Sequence, residues 1–431
     1  MRLELATFQV DRITLGPGTR YSNGELRVDP EEVRGLIVDG VYFSDVRLHL
    51  AHPGESVRII HVLDVMEPRH KVSGPGCVFP GILGPPVQVG EGRTHRLGGM
   101  AVVSVGGAVV GEAYHWREAI IDMSGPGAPY SPFSQTANLV VEFIPGEPGP
   151  DVPAEDLEML NTLRGSKYSQ DWNVAVRRAQ CKLADYLAQA VGDLTPSREE
   201  VYQLGPVDTG LPKVMYAAEV LGEFLYGAQP GWQPTLLHPN ELMDGVLFRP
   251  FNTPAAIRYA TYFFQNHPVV DQMYRRHGKD LDFMGVLLYP CGNDRLEEKE
   301  RNTSYASKLL QMLGVQGVVI TWIGGGHPGM DPMLLFRKCE ALGIKATLLN
   351  PEMARTSDDT GFVFFVPEAD AIVSTGNYEK ELSLPSVDRV IGGDSLLVSG
   401  LDASRDITVG IIQILGSTHT FGAARLMGVQ Y

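Results

Sequence analysis

The sequence predicts an α/β chain, α+β overall: a mainly β amino-terminal domain packed on a carboxyl-terminal doubly wound, mostly parallel sheet. Two patterns carry that reading. Residues 1–145 hold short β-branched runs punctuated by Gly and Pro clusters, the mark of strands and tight turns. Beyond residue 206, brief apolar runs alternate with amphipathic stretches, the order that builds parallel strands covered by helices.

In chain order, residues 56–62, 100–110 and 138–143 are the first expected strands, each bounded by turn residues. Residues 146–153 (GEPGPDVP) read as a linker, because repeated Pro and Gly continue neither a helix nor an inner strand. Residues 171–191 are an expected helix: Val174, Val176, Cys181, Leu183, Leu187 and Val191 recur at helical spacing, opposite Arg177, Arg178 and Lys182. Gly192 then supplies a stop. Residues 283–288, 315–320, 346–349 and 371–374 are apolar runs of the kind that form buried parallel strands. Helices are expected between them at 303–313 and 331–342. The resulting division is a mostly β domain at 1–145, a linker and helical segment at 146–205, and an α/β domain with the substrate cleft at 206–431.

A chain of 431 residues, 44% hydrophobic, is long enough for two or three cores. Its 51 acidic against 36 basic residues leave a net charge of −15, which argues against nucleic acid or an anionic membrane as partner. No apolar run reaches membrane-spanning length, and the start MRLELATFQV lacks the blocks of a signal peptide, so a cytoplasmic protein is expected. Cys77, Cys181, Cys291 and Cys339 lie far apart with no CxxC pair, a pattern of reduced thiols without a disulfide framework or zinc motif. No metal is expected.

Candidate chemistry concentrates in three words. The first, TWIGGGHPGMD at 321–331, sits where an expected strand passes into an expected helix, where α/β proteins hold ligands on free backbone N–H groups. Thr321, Trp322, Gly324, Gly325 and Gly326 are candidate binding positions; His327 and Asp331 are candidate acid–base residues. The glycines lack the spacing of a P-loop or dinucleotide fingerprint, so no nucleotide is inferred. The second word, HPNELMDG at 238–245, offers His238, Glu241 and Asp244, either to orient a substrate or to cap a turn and helix. The third is the polar turn containing Gln265 and Asn266.

Words scattered in order along the chain resemble one family. They are HPGESVRI at 52–59, SGPG at 73–76, FPG at 79–81, GRTH at 92–95, IDMSGP at 121–126, YSPFS at 130–134, HPNELMDG at 238–245, RRHGKD at 275–280 and PEADAIV at 367–373. The chain resembles the component B substrate-binding subunit precursors of glycine, sarcosine and betaine reductases, relatives of the D-proline reductase proprotein. In that family the precursor cuts itself before a cysteine that becomes a pyruvoyl group. Here the matching positions read Phe251-Asn252-Thr253-Pro254, and no cysteine lies between Cys181 and Cys291.

The resemblance therefore implies an unprocessed oxidoreductase subunit without a pyruvoyl or other cofactor. It would bind a small amine or quaternary amine, with Asn252 among the binding positions. A partner subunit carrying a redox-active cysteine or selenocysteine would cleave the C–N bond within a hetero-oligomer. Thr253 retains a hydroxyl nucleophile, but a hydroxyl attacks less readily than a thiolate, and Pro254 restricts the backbone before it. The glycine loop of the family is more acidic after the Thr; Trp322 and Ile323 would instead suit an apolar or quaternary group. Two other readings stand beside this one: a non-catalytic scaffold subunit, and a divergent stand-alone enzyme using the same cleft. The aromatic run Phe248, Phe251, Tyr259, Tyr262, Phe263 and Phe264 is either a partner surface or core.

Overall fold

The structure, a computed structural model, describes residues 1–106, 119–146, 167–207, 210–229, 231, 233–249, 259–291, 295–323, 326–353, 361–377, 379–396, 399–417, 419 and 421. It is a mixed α/β molecule. Strands β1 (Arg2–Gln9), β2 (Phe43–Ala51), β3 (Val57–Ile59), β4 (Val62–Met66), β5 (Arg69–Ser73), β6 (Gly92–Gly98), β7 (Met100–Gly106), β8 (Ile121–Asp122) and β9 (Ala137–Pro145) precede helix α1 (Lys167–Gln189) and strand β10 (Arg198–Gln203). One four-stranded sheet has the order β10-β1-β6-β5, and a second has the order β2-β9-β7-β4. Helix α1 presents Trp172, Val176, Leu183 and Leu187 to a core shared with Met100, Val102 and Leu139. It ends before Gly192, whose φ of +49° suits a residue without Cβ. Residues 56–62 do not form one strand. β3 stops at Ile59, His61 adopts φ +54°, and β4 resumes at Val62.

The second half supplies β11 (Lys213–Val220), β12 (Thr235–Leu237), α2 (Pro239–Met243), α3 (Thr261–Gln265), α4 (Pro268–Arg276), β13 (Asp282–Pro290), α5 (Leu296–Met312), β14 (Gly317–Thr321), α6 (Met330–Ala341), β15 (Lys345–Glu352) and β16 (Ile372–Asn377). They build a six-stranded sheet of order β12-β13-β11-β14-β15-β16. β12 is antiparallel to β13; the other neighbours are parallel. Among the parallel strands the second in sequence lies beside the first, and the third lies on the first strand's other side. The order therefore reverses between β11 and β14, which is a topological switch point.

Period-two alternation along β11 explains how both faces are used. Met215 and Ala217 join Ala306, Leu310, Met333 and Leu335 of α5 and α6 in one core. Tyr216, Ala218 and Val220 face the other way, toward Phe263, Phe264 and Val269 of α3 and α4. Burying each large apolar side chain there stabilises the fold by about 1.5–3 kcal/mol.

The chain finally returns to its beginning. Strand β17 (Arg389–Ile391) pairs in parallel with β3, and Ile414 bridges to Ile120. The buried Arg58 guanidinium clamps this return: it donates to Asp122 at 2.7 and 3.0 Å, and to the carbonyls of Ala403 and Pro385 at 2.7 and 2.8 Å. No described helix is long and apolar enough to cross a membrane.

Candidate functional site

At the carboxyl edge of the large sheet, alternation places particular residues together. Glu219 shares the parity of Met215 and Ala217, so it projects to the α5–α6 side. Its cross-strand partner is Tyr289 of β13, and Cys291 follows two residues later with the same parity. The first turn of α6 adds Asp331, and the start of α5 adds Lys299. All five are buried.

The Ile323 N–H donates to Glu219 Oε2 at 3.0 Å, Cys291 Sγ lies 3.8 Å from Asp331 Oδ2, and the Lys299 ammonium pairs with the same Asp331 oxygen. Burial first, and then the Asp331 charge, pushes the Glu219 carboxyl well above its ordinary range. Burial, with Glu219 and Asp331 beside it, likewise drives the Cys291 thiol up. Three tyrosines brace the adjoining strand end: Tyr216 Oη lies 2.6 Å from Thr321 Oγ1, while Tyr289 and Tyr259 donate to the carbonyls of Thr321 and Trp322, each at 3.1 Å.

On the opposite face of the sheet a cleft of about 800 Å³ opens between β1, β6 and the α3–α4 turn, with Val319 and Leu349 among its lining. Its polar wall includes Thr7, Arg96, Gln265, Asn266 and His267. Gln265 brackets the Glu67 backbone through both ends of its amide, at 2.9 and 3.1 Å. Asn266 Oδ1 accepts from Arg69 at 2.8 Å, and its Nδ2 finds no partner among the described residues. His267 is stacked on Phe421 with ring centroids 4.2 Å apart, and neither of its ring nitrogens has a described partner. Burial lowers its pKa to about 3, so the ring is a neutral donor and acceptor.

The profile of glycine/sarcosine/betaine reductase component B subunits matches residues 1–427. The chain belongs to that family. It is 34% identical to the glycine reductase complex component B subunits alpha and beta of Acetoanaerobium sticklandii, over the full length of both. It is 35% identical to the sarcosine reductase complex component B subunit alpha of Peptoclostridium acidaminophilum, covering 91% of this chain and 89% of that one. The betaine reductase complex component B subunit alpha of the same organism is 32% identical, covering 91% and 88%. No solved structure matches the chain.

Seen as a component B homologue, the chain keeps its sequence-expected site residues in separate places. Gln265 and Asn266 line the cleft; Thr321 ends β14 on the same face of the sheet, bonded to Tyr216, whereas Asp331 lies at the carboxyl edge on the opposite, α5–α6 side. The Trp322 ring is sunk in the core against Gly329 and α6, so it presents no aromatic face to the cleft. Gly326 takes φ +69°, and His327 is exposed in the short turn that follows. Gly324, Gly325, Asn252, Thr253 and Phe251 lie outside the described residues.

In HPNELMDG the capping alternative accounts for the side chains. His238 caps α2 by accepting from Asn240 N–H at 3.2 Å, and Glu241 accepts from His238 N–H at 2.6 Å and from Tyr226. Asp244 receives Gly90 N–H at 2.8 Å, Thr94 at 2.7 Å and Lys71. Burial and the nearby amino terminus lower His238 to about 4. The aromatic run is core: Phe248, Tyr259, Phe263 and Phe264 are buried within the single chain, and Tyr262 packs against them. They therefore offer no exposed partner surface.

Glu219 and Lys299 were absent from the sequence-derived candidates, and Cys291 was present only as an unremarkable thiol. The available signal was an acid inside the apolar run YAAEV, in line with a lysine and an acid in the first turns of two later helices. Both flanks of the 250–258 segment are tied to the same edge of the sheet. Arg249 pairs with buried Glu223 at 2.7 Å, just past β11, and Tyr259 holds Trp322 just past β14.

Proposed function

We infer that this chain is the substrate-binding subunit of a glycine/betaine/sarcosine reductase-like complex and that it works without a pyruvoyl group. A partner subunit with a reactive cysteine or selenocysteine supplies the electrons that cleave the C–N bond. The observation that carries this reading is the match from end to end to component B subunits, joined to a sequence without cysteine between Cys181 and Cys291, where the resemblance would set the pyruvoyl-forming residue at Asn252-Thr253-Pro254. A quaternary amine has no N–H and forms no imine, so a pyruvoyl carbonyl gives no advantage with such a substrate. The cleft supports the binding role: Asn266 Nδ2 and the neutral His267 offer hydrogen bonds that no described residue takes up.

The missing cysteine also supports a second reading, a scaffold subunit that binds no substrate. The two separate in one experiment. The purified chain is assayed with and without a thiol or selenol partner subunit, using glycine, sarcosine and betaine with a dithiol reductant. The expected result is acid and amine release only when both proteins are present. An Asn266→Ala chain should need about tenfold more substrate, the loss of one hydrogen bond of roughly 1–1.5 kcal/mol. Turnover by the isolated chain would reject the shared-site reading, and an Asn266→Ala chain with an unchanged KM would remove the cleft from it.

A further inference from the structure

We propose that Glu219, Cys291 and Asp331 bind one divalent transition-metal ion of the zinc or iron(II) class. Their ligand atoms come from β11, the end of β13 and the first turn of α6, and all lie within 4.8 Å of one another. Proximity of acids alone is common; the individual oxygens are more telling. Glu219 Oε2 is fixed by the Ile323 N–H, while Oε1 is fully buried and receives no N–H or O–H donor from any described residue, leaving the carboxylate only the weak S–H donor of Cys291 besides that amide. A buried acceptor oxygen with only a thiol beside it is destabilising unless something coordinates it.

The surroundings match the outer shell of a metal centre. The Ile323 amide orients one carboxylate and Lys299 orients the other, as second-shell donors do for ligating oxygens. With all three ligands ionised the cluster carries three negative charges against one positive on Lys299, and a divalent ion cancels the remainder. One thiolate with two carboxylates favours zinc or iron(II) over magnesium or calcium, which take oxygen alone. Three protein ligands leave a position for water or a substrate oxygen, the arrangement of reactive centres. The sequence hides the site because residues 219, 291 and 331 lie too far apart to form a ligand motif.

The inference stands apart from the reductase reading, since metal binding needs neither partner nor turnover. The full chain, stripped with chelator, is titrated with cobalt(II) and then with zinc. One equivalent of cobalt per chain should give a near-ultraviolet thiolate-to-metal absorption, and zinc should abolish it. Cys291→Ser should remove the band, Glu219→Gln, which removes a ligand, should weaken binding by more than the roughly 10–100-fold of an outer-shell change, and Cys77→Ser should leave both unchanged. Circular dichroism establishes that each variant is folded; if Cys291→Ser is not, Glu219→Gln decides. A wild-type chain with no saturable cobalt spectrum, or a Glu219→Gln chain binding as tightly as wild type, would overturn the site.

Discussion

His267 is a buried imidazole held neutral by its surroundings, and this has a measurable cost in acid. Burial lowers its folded pKa to about 3, whereas an unfolded histidine titrates near 6.5. Below pH 6.5 the unfolded chain takes up a proton that the folded chain refuses. The stability His267 contributes is therefore complete above 6.5 and is lost as pH falls toward about 3. His419, in the same aromatic nest, shifts in the same direction through burial and the nearness of His267 and Arg249. His267→Phe keeps the ring stack on Phe421 and removes the titration. The fall in unfolding free energy from pH 7 to pH 5, read from urea titrations at both values, should shrink by about 2 kcal/mol. An unchanged fall would mean that His267 is not buried neutral. At this scale the sequence was least legible. It displayed the histidines of HPNELMDG and the glycine loop, but whether His238 caps a helix or faces a ligand depends on neighbours such as Asn240 and Met1 brought up by the fold.

At the level of elements, strands buried on both faces were easiest to read. Residues 283–288 and 346–349 fall within β13 and β15, and 315–320 overlaps β14 from Gly317 onward, because apolar runs survive any change of partner. β11 escaped notice: YAAEV has two alanines and an acid, and its place at the sheet centre comes from the switch in strand order rather than from strand propensity. α5 begins seven residues before its expected start, since LEEKERN carries little apolar period while still placing Lys299 inward. The aromatic run around α3 was ambiguous because the same side chains serve cores and interfaces. Its burial gives a clear expectation. Phe264→Asp should destabilise the isolated chain by more than about 3 kcal/mol in a thermal or urea melt, the loss of a core phenylalanine with a charge added. A stable, monodisperse Phe264→Asp chain that merely fails to associate would restore the interface reading.

For the whole molecule, the return of residues 389–415 to the amino-terminal sheets joins the two ends through β17 and the Arg58 clamp, a long-range pairing that no local pattern announces. The segment between Arg249 and Tyr259 lies in a stretch without cysteine, which runs from Cys181 to Cys291. Its two flanks are fixed at the carboxyl ends of β11 and β14 by the Arg249–Glu223 pair and the Tyr259–Trp322 bond. Whether the component B chain stays intact, without a pyruvoyl group, is read from the intact mass of the purified protein. An unprocessed chain gives one species at the full-length mass of 47.1 kDa, inert to carbonyl reagents. Two fragments meeting near Asn252, or a carbonyl-reactive terminus at residue 253, would contradict it.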